Sequence, residues 1–273
     1  MRCVLFSTLL MGVWILAPMD SRAQEDSPSM GTIFFHDAGC YLEDVGGYFT
    51  TPLRFTGRDW ATAAAGVGAT LLVISADQWV TDRVGRQTKQ SLNDDFWDYP
   101  TRYGVVQYAT IGSLGAYTVG LVGGQDEVRI YGRMLWTGIT TGGLTVMALR
   151  TVFVRSRPYS GDGPWAFNWF ETDNETQSFP SGHTVLAFTL STVFAERIVT
   201  IWSRIVFYSL ATMTAAARVV NNQHWLSDVM VGAAIGIGAG WDAVRRERVR
   251  EEGESALQLG FTGTGISVSF RID

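Results

Sequence analysis

The segment Arg218-Val219-Val220-Asn221-Asn222-Gln223-His224-Trp225-Leu226-Ser227-Asp228 separates two apolar stretches, 205–220 and 229–244. Charged and ring-bearing side chains crowd this short connection, while the flanking stretches are rich in Ala, Val, Ile and Gly. The same arrangement recurs upstream. Arg150-Thr151-Val152-Phe153-Val154-Arg155-Ser156-Arg157-Pro158 closes the stretch 134–154, and Pro180-Ser181-Gly182-His183 opens the stretch 184–201. Two more apolar stretches, 60–77 and 104–124, precede them. Their lengths and composition favour helices over strands, which predicts an all-α bundle of about six helices. The tail differs. Leu257, Leu259 and Phe261 alternate with other residues, Gly263-Thr264-Gly265 turns, and Ile266, Val268, Phe270 and Ile272 alternate again. That period of two predicts a short C-terminal β-hairpin over 256–273.

Apolar residues make up 47% of the 273-residue chain and charged residues 17%, against about 25% charged in soluble domains. This scarcity of charge favours a bundle embedded in a membrane. With 21 basic and 26 acidic residues the net charge is −5, so no nucleic-acid partner is expected. Met1-Arg2, the apolar run from Cys3 to Met19 and the small residues of Ser21-Arg22-Ala23 read as an export signal over 1–23. Residues 24–58 then form an N-terminal extracytoplasmic segment. Arg245, Arg246, Arg248 and Arg250 follow the last apolar stretch, as a cytoplasmic end requires. Six spans counted back from there would put residues 24–58 in the cytoplasm, so the two readings cannot both hold. The expected location is the cell envelope, at the inner membrane with the charged clusters facing the periplasm; a soluble periplasmic protein is the alternative. Once the signal is removed, Cys40 is left without a disulfide partner. Besides it the chain offers three histidines, His36, His183 and His224, so no zinc or iron–sulfur site and no other cofactor is expected.

The three charged clusters lie at helix ends that alternation places on one side of the bundle. Arg157 and Arg218 are permanently charged forks, each able to hold two phosphate oxygens. Ser181-Gly182-His183 precedes a helix, so its backbone N–H groups point outward at the positive end of the helix dipole. Gly182 lets backbone approach a ligand closely, and Ser181 adds a hydroxyl. Together they make a cage for a tetrahedral, multiply charged anion. His224 and Asp228 are four residues apart and share a face if the segment is helical. A carboxylate beside one ring nitrogen fixes the tautomer and frees the other nitrogen to attack phosphorus. His183 is then placed to protonate the leaving oxygen. Singly, each element has a plain structural reading, as an interfacial arginine, a turn or a dipole partner. Two of three histidines falling beside arginines argues against coincidence.

These clusters resemble the signature of the type 2 phosphatidic acid phosphatase (PAP2) superfamily, which includes bacterial lipid phosphatases, class A acid phosphatases and vanadium haloperoxidases. Its pattern is K-x6-RP, then PSGH, then S-R-x5-H-x3-D. Here the matching residues are Arg150, Arg157 and Pro158, then Pro180 to His183, then Ala217, Arg218, His224 and Asp228. The resemblance spans roughly 130–245 and assigns 59–250 to a PAP2-type phosphatase domain. It implies phosphate contacts from Arg157, Ser181, Gly182 and Arg218. It also implies His224 as the nucleophile forming a phosphohistidine, His183 as general acid and Asp228 as the orienting carboxylate. Arg150 stands where the family has lysine, keeping the charge with a different reach, and a phosphate contact is expected of it too. Ala217 replaces the family serine and removes one hydroxyl.

The expectation from this resemblance is a metal-independent hydrolase of phosphate monoesters or diphosphates on lipids: phosphatidic acid, phosphatidylglycerol phosphate, an isoprenoid diphosphate or a lipid A phosphate. The alternatives are a soluble periplasmic non-specific acid phosphatase, a vanadium haloperoxidase and a non-catalytic binder of phosphate headgroups. Between the first two clusters runs the loop Tyr159 to Phe179, with Trp165, Phe167, Trp169 and Phe170 beside Glu171, Asp173 and Glu175. It reads equally as a lip at the lipid interface or as a long loop packed on the body.

Overall fold

Gly232, Gly236 and Gly240 recur every fourth residue, so they form one bare stripe along a helix. In the computed structural model that stripe lies against a neighbouring helix so closely that added β-carbons would meet the backbone oxygens of Ser181, Val185 and Thr189 at 2.8, 2.4 and 2.8 Å. The stripe belongs to α8 (Leu226–Ala256) and its neighbour is α6 (Gly182–Ile198). This close approach joins the PSGH segment to the His224 segment: Ser181 N–H donates to the Asp228 carbonyl at 3.1 Å.

The structure describes residues 28–91, 94–169, 177–262 and 265–270. Six further helices complete the bundle: α1 (Met30–Thr50), α2 (Gly57–Ser91), α3 (Asp98–Tyr103), α4 (Val106–Gly123), α5 (Asp126–Val152) and α7 (Ile201–Val220). α6 is central, packed on α5, α7 and α8, while α4 lies on α5 and α2 lies along α7 and α8. The apolar core includes Met134, Leu135 and Ile139 of α5, Leu186, Leu190 and Val193 of α6, and Val244 of α8. Each such side chain contributes about 1.5–3 kcal/mol on burial. Local chemistry sets the boundaries. Thr200 and Ser203 form a reciprocal capping box at the start of α7. Gly124, at φ 63°, ends α4 in the left-handed conformation that glycine adopts without a side-chain clash.

This architecture corrects the expected number of about six helices. There are eight α-helices among the described residues. One helix among them, over Gly57–Val84, is long and apolar enough to cross a membrane. The tail segments β1 (Leu257–Thr262) and β2 (Gly265–Phe270) pair antiparallel, Leu257 opposite Phe270. They run on from α8 and add no layer, so the fold is all-α. The export signal at 1–23 falls outside the described residues, as do Phe170, Glu171, Asp173 and Glu175 of the aromatic loop.

Sequence reading missed the short α3 and the long α1, and the pattern of α1 explains its omission. Its buried residues are Asp37, Cys40 and Asp44, while Phe34, Phe35, Leu42 and Phe49 are exposed. A helix whose buried face carries carboxylates reverses the periodicity on which recognition depends.

Candidate active site

α5, α6, α7 and α8 each deliver one part of the site. Arg150 lies in the last turn of α5, Ser181 caps the start of α6, Arg218 closes α7, and His224 sits in the turn before α8. The turn is tight. The N–H groups of Gln223 and His224 both donate to the Arg218 carbonyl, at 3.1 and 3.2 Å, and Asn222 takes φ 57° to close it.

His224 is almost wholly buried. Its Nδ1 lies 2.8 Å from the Ser178 carbonyl. A carbonyl only accepts, so Nδ1 carries the proton and Nε2 keeps the lone pair. The spacing of His224 and Asp228 suggested a direct carboxylate–imidazole hydrogen bond on one helical face, but His224 precedes the helix. Asp228 Oδ2 stands 3.7 Å from Nδ1, too far for a hydrogen bond. That oxygen accepts instead from Trp225 N–H at 2.9 Å and from the Ser178 hydroxyl. Asp228 thus acts on the ring through its charge and by holding Ser178.

The other Asp228 oxygen accepts from Arg155 Nη1 at 2.6 Å. Arg155 has no exposed surface. It also donates to Ser227 Oγ at 2.7 Å, to Asp77 Oδ2 at 2.8 Å and to the Pro164 carbonyl at 2.8 Å. Its guanidinium lies against the rings of Phe167 and Trp225. Asp77 comes from α2 and accepts from both the backbone and the hydroxyl of Ser227. Sequence reasoning left Arg155, Asp77 and Ser178 out of the site. Signals existed: Arg155 stands inside the first cluster, and Asp77 is a lone carboxylate in an apolar stretch, where a buried charge demands a partner.

The remaining arginines have a different character. Arg150 donates to the Pro180 carbonyl at 3.1 Å and Arg157 to Gln223 Oε1 at 3.0 Å. Among the described residues none of Arg150, Arg157 and Arg218 pairs with a carboxylate within 4.0 Å. The Nε atoms of Arg157 and Arg218 are buried without a hydrogen-bond partner. Burial and then the charges of Arg157 and Arg150 pull Arg218 down to about 10. Mutually repelling guanidiniums with idle donors suit an anion.

His183 lies in the same field. Burial lowers it to about 3, helped by Arg218, His224, Arg150 and Arg157 in that order. Burial also lowers His224 to about 4, against the opposing pull of Asp228. Both imidazoles are therefore neutral near pH 7. The α3–α4 corner closes on His183: a β-carbon on Gly104 would stand 2.3 Å from its carbonyl oxygen. Gly182 faces Arg150, whose Nη2 would be 3.5 Å from an added β-carbon. Ser181 is buried and accepts from Thr184 Oγ1 at 3.0 Å. The structure thus gathers Arg150, Arg157, Ser181, Gly182, His183, Arg218, His224 and Asp228 at one end of the bundle. Among the described residues no three His, Cys, Asp or Glu side chains are grouped to hold a metal ion.

Residues 131–250 match the PAP2 superfamily. Two curated relatives are both called lipid A 1-phosphatase. The Porphyromonas gingivalis protein is 40% identical over 81 residues, 29% of this chain and 18% of its own length. The Rhizobium etli protein is 30% identical over 112 residues, 40% of this chain and 46% of its own. The chain therefore spans less than half the length of either. Among solved structures, Aquifex aeolicus LpxE is 21% identical with a TM-score of 0.49, over 62% of this chain and 94% of that one. A transmembrane PAP2-type phosphatidylglycerolphosphate phosphatase from Bacillus subtilis is 18% identical with a TM-score of 0.49, over 69% and 96%. The matched residues include Arg150, His183, Ala217, Arg218, His224 and Asp228.

Proposed function

We propose that this protein hydrolyses the phosphate ester of a membrane lipid, with a lipid A type phosphate as the leading substrate. The observation that carries the reading is the pinned His224 ring, its Nδ1 proton tied to the Ser178 carbonyl, beside arginines that lack carboxylate partners. Phosphate oxygens would occupy the idle donors of Arg157 and Arg218, with Arg150 and the Ser181–Gly182 backbone closing the cage.

His224 Nε2 attacks phosphorus in line, and the bond to the leaving oxygen breaks as a phosphohistidine forms. The arginines stabilise the charge on the equatorial oxygens. Burial and the neighbouring arginines make His183 too weak a base to hold a proton near pH 7 on its own. The bound phosphate offsets the arginine field and raises His183, so the proton of a monoanionic ester passes through it to the leaving oxygen. In the second half a water gives its proton to His183 and its oxygen to phosphorus, freeing His224.

Membrane association belongs to the same reading. Large apolar side chains are exposed along α2, α4 and α7, among them Trp60, Leu72, Ile111, Val119, Trp202 and Val206. Apolar surface of that extent marks a lipid or protein contact. The domain reading, with the phosphatase body over 59–250, and the placement of the site at the periplasmic face of the inner membrane are part of the proposal.

The test is release of inorganic phosphate from lipid A 1-phosphate, phosphatidic acid, an isoprenyl diphosphate and p-nitrophenyl phosphate by the purified full chain. The lipid esters are expected to turn over, with lipid A the best among them. Cleavage of the small soluble ester alone would remove the lipid assignment.

A further inference from the structure

At the far end of α5 from Arg150, a second set of buried charges surrounds a cavity that the hydrolytic site does not use. Arg133 and Arg150 share one helix and stand about 25 Å apart along its axis. Arg133 Nη2 donates to both oxygens of Glu247, at 2.7 and 2.6 Å. Asp37 Oδ2 accepts from Arg129 and, at 3.2 Å, from Tyr117. Each charge therefore has its partner, yet each keeps an idle atom. Among the described residues Arg133 Nε, Arg133 Nη1 and Asp37 Oδ1 are buried without a hydrogen bond, and Oδ1 stands 3.6 Å from Arg133 Nε. The side chains are 7% and 3% exposed, so water does not freely satisfy them. Both line a cavity of ≈ 470 Å³ between α1, α4 and α5, walled by Phe34, Tyr41, Leu114, Leu121 and Trp136.

We propose that this cavity binds the single acyl chain of a neutral amphiphile whose head is a hydroxyl or amide, as in a monoacylglycerol. The volume is that of a small-ligand pocket, and the lining is mostly apolar, the hydroxyls of Tyr41, Tyr117 and Thr118 donating to Thr140, Asp37 and the Leu114 carbonyl. The head follows from the idle atoms. Arg133 Nε and Nη1 are donors and Asp37 Oδ1 is an acceptor, so the ligand must accept from the guanidinium and donate to Asp37 Oδ1. A carboxylate or phosphate head meets the first demand and is repelled by Asp37. A bare alkane meets neither.

The full-length protein in nanodiscs is titrated with a monoacylglycerol brominated on its chain. Quenching of Trp136 is isolated by subtracting the same titration of Trp136→Phe. Saturable quenching, reversed by the unbrominated lipid, is expected. The corresponding brominated fatty acid and bromoalkane should bind about tenfold more weakly or less. Ala38→Trp fills the cavity without touching the ion pairs and should abolish saturation. Arg133→Lys keeps a charge for Glu247, loses Nη1 and should weaken binding about tenfold. Quenching that rises linearly without saturating, or that survives Ala38→Trp, overturns the site. A fatty acid binding as tightly as the glyceride overturns the assigned head. If Arg133→Lys does not fold, Ala38→Trp and the head-group series decide alone.

Discussion

Arg155 Nη1 and Asp228 Oδ1 lie 2.6 Å apart with neither side chain exposed to solvent, and the opposite edge of the same guanidinium holds Asp77 at 2.8 Å. One buried cation thus ties α2 to the first turn of α8, two residues after the helix begins. Asp228 in turn holds Ser178, whose carbonyl fixes the His224 ring. The orientation of the proposed nucleophile therefore depends on residues that never reach the phosphate.

Removing that cation leaves two buried carboxylates short of a partner. Arg155→Met should cost about 3–5 kcal/mol of stability, read as a lowered unfolding midpoint. Asp77→Asn should cost less, because Asp228 still compensates Arg155. A double-mutant cycle of the two should be strongly non-additive. Additive effects would show that the pair is not coupled as its geometry implies.

Asp228→Asn keeps the shape and removes the charge that stabilises a positive imidazole. Turnover number should fall by about 10²–10⁴ with KM little changed. Steady-state kinetics on the preferred lipid phosphate measure both constants. A raised KM with unchanged turnover would move Asp228 from ring positioning to substrate binding.

Acid should destabilise the protein through its two site histidines. In the folded state burial holds His224 at about 4 and His183 at about 3; unfolded, each titrates near 6.5. Below about pH 6.5 the unfolded chain takes up protons that the folded chain does not, so stability falls as pH drops towards 4. The slope is at most about 1.4 kcal/mol per pH unit for each histidine. Above pH 7 these two groups add no slope. Thermal unfolding between pH 4.5 and 7.5 checks this, and His183→Asn should flatten the curve. An unchanged slope in that variant would contradict a buried neutral His183.

Much of the site was legible in the sequence because its chemistry is local. Arg157, Ser181, His183, Arg218 and His224 lie in short motifs at the ends of apolar stretches, and a bundle with alternating helices brings such ends together. What was not legible depends on distant packing. Asp77 is far from Asp228 along the chain, and no periodicity marks Ser178 as the residue whose carbonyl takes the imidazole proton. The four-residue step from His224 to Asp228 suggested a shared helical face, whereas the turn at Asn222 delays the helix until Leu226. α1 was hidden for a related reason. Its inward face is made of Asp37, Cys40 and Asp44, paired with charges from α5 and α8 that no local reading supplies.

The most direct test is phosphate release from a lipid A 1-phosphate substrate by wild type and His224→Ala, with protein quenched in alkaline detergent examined for label from the ³²P-ester. Wild type should turn over and carry acid-labile, base-stable phosphate on histidine, and His224→Ala should lose both, with activity down by at least about a thousandfold. A His224→Ala protein that still turns over at the wild-type rate would contradict the account.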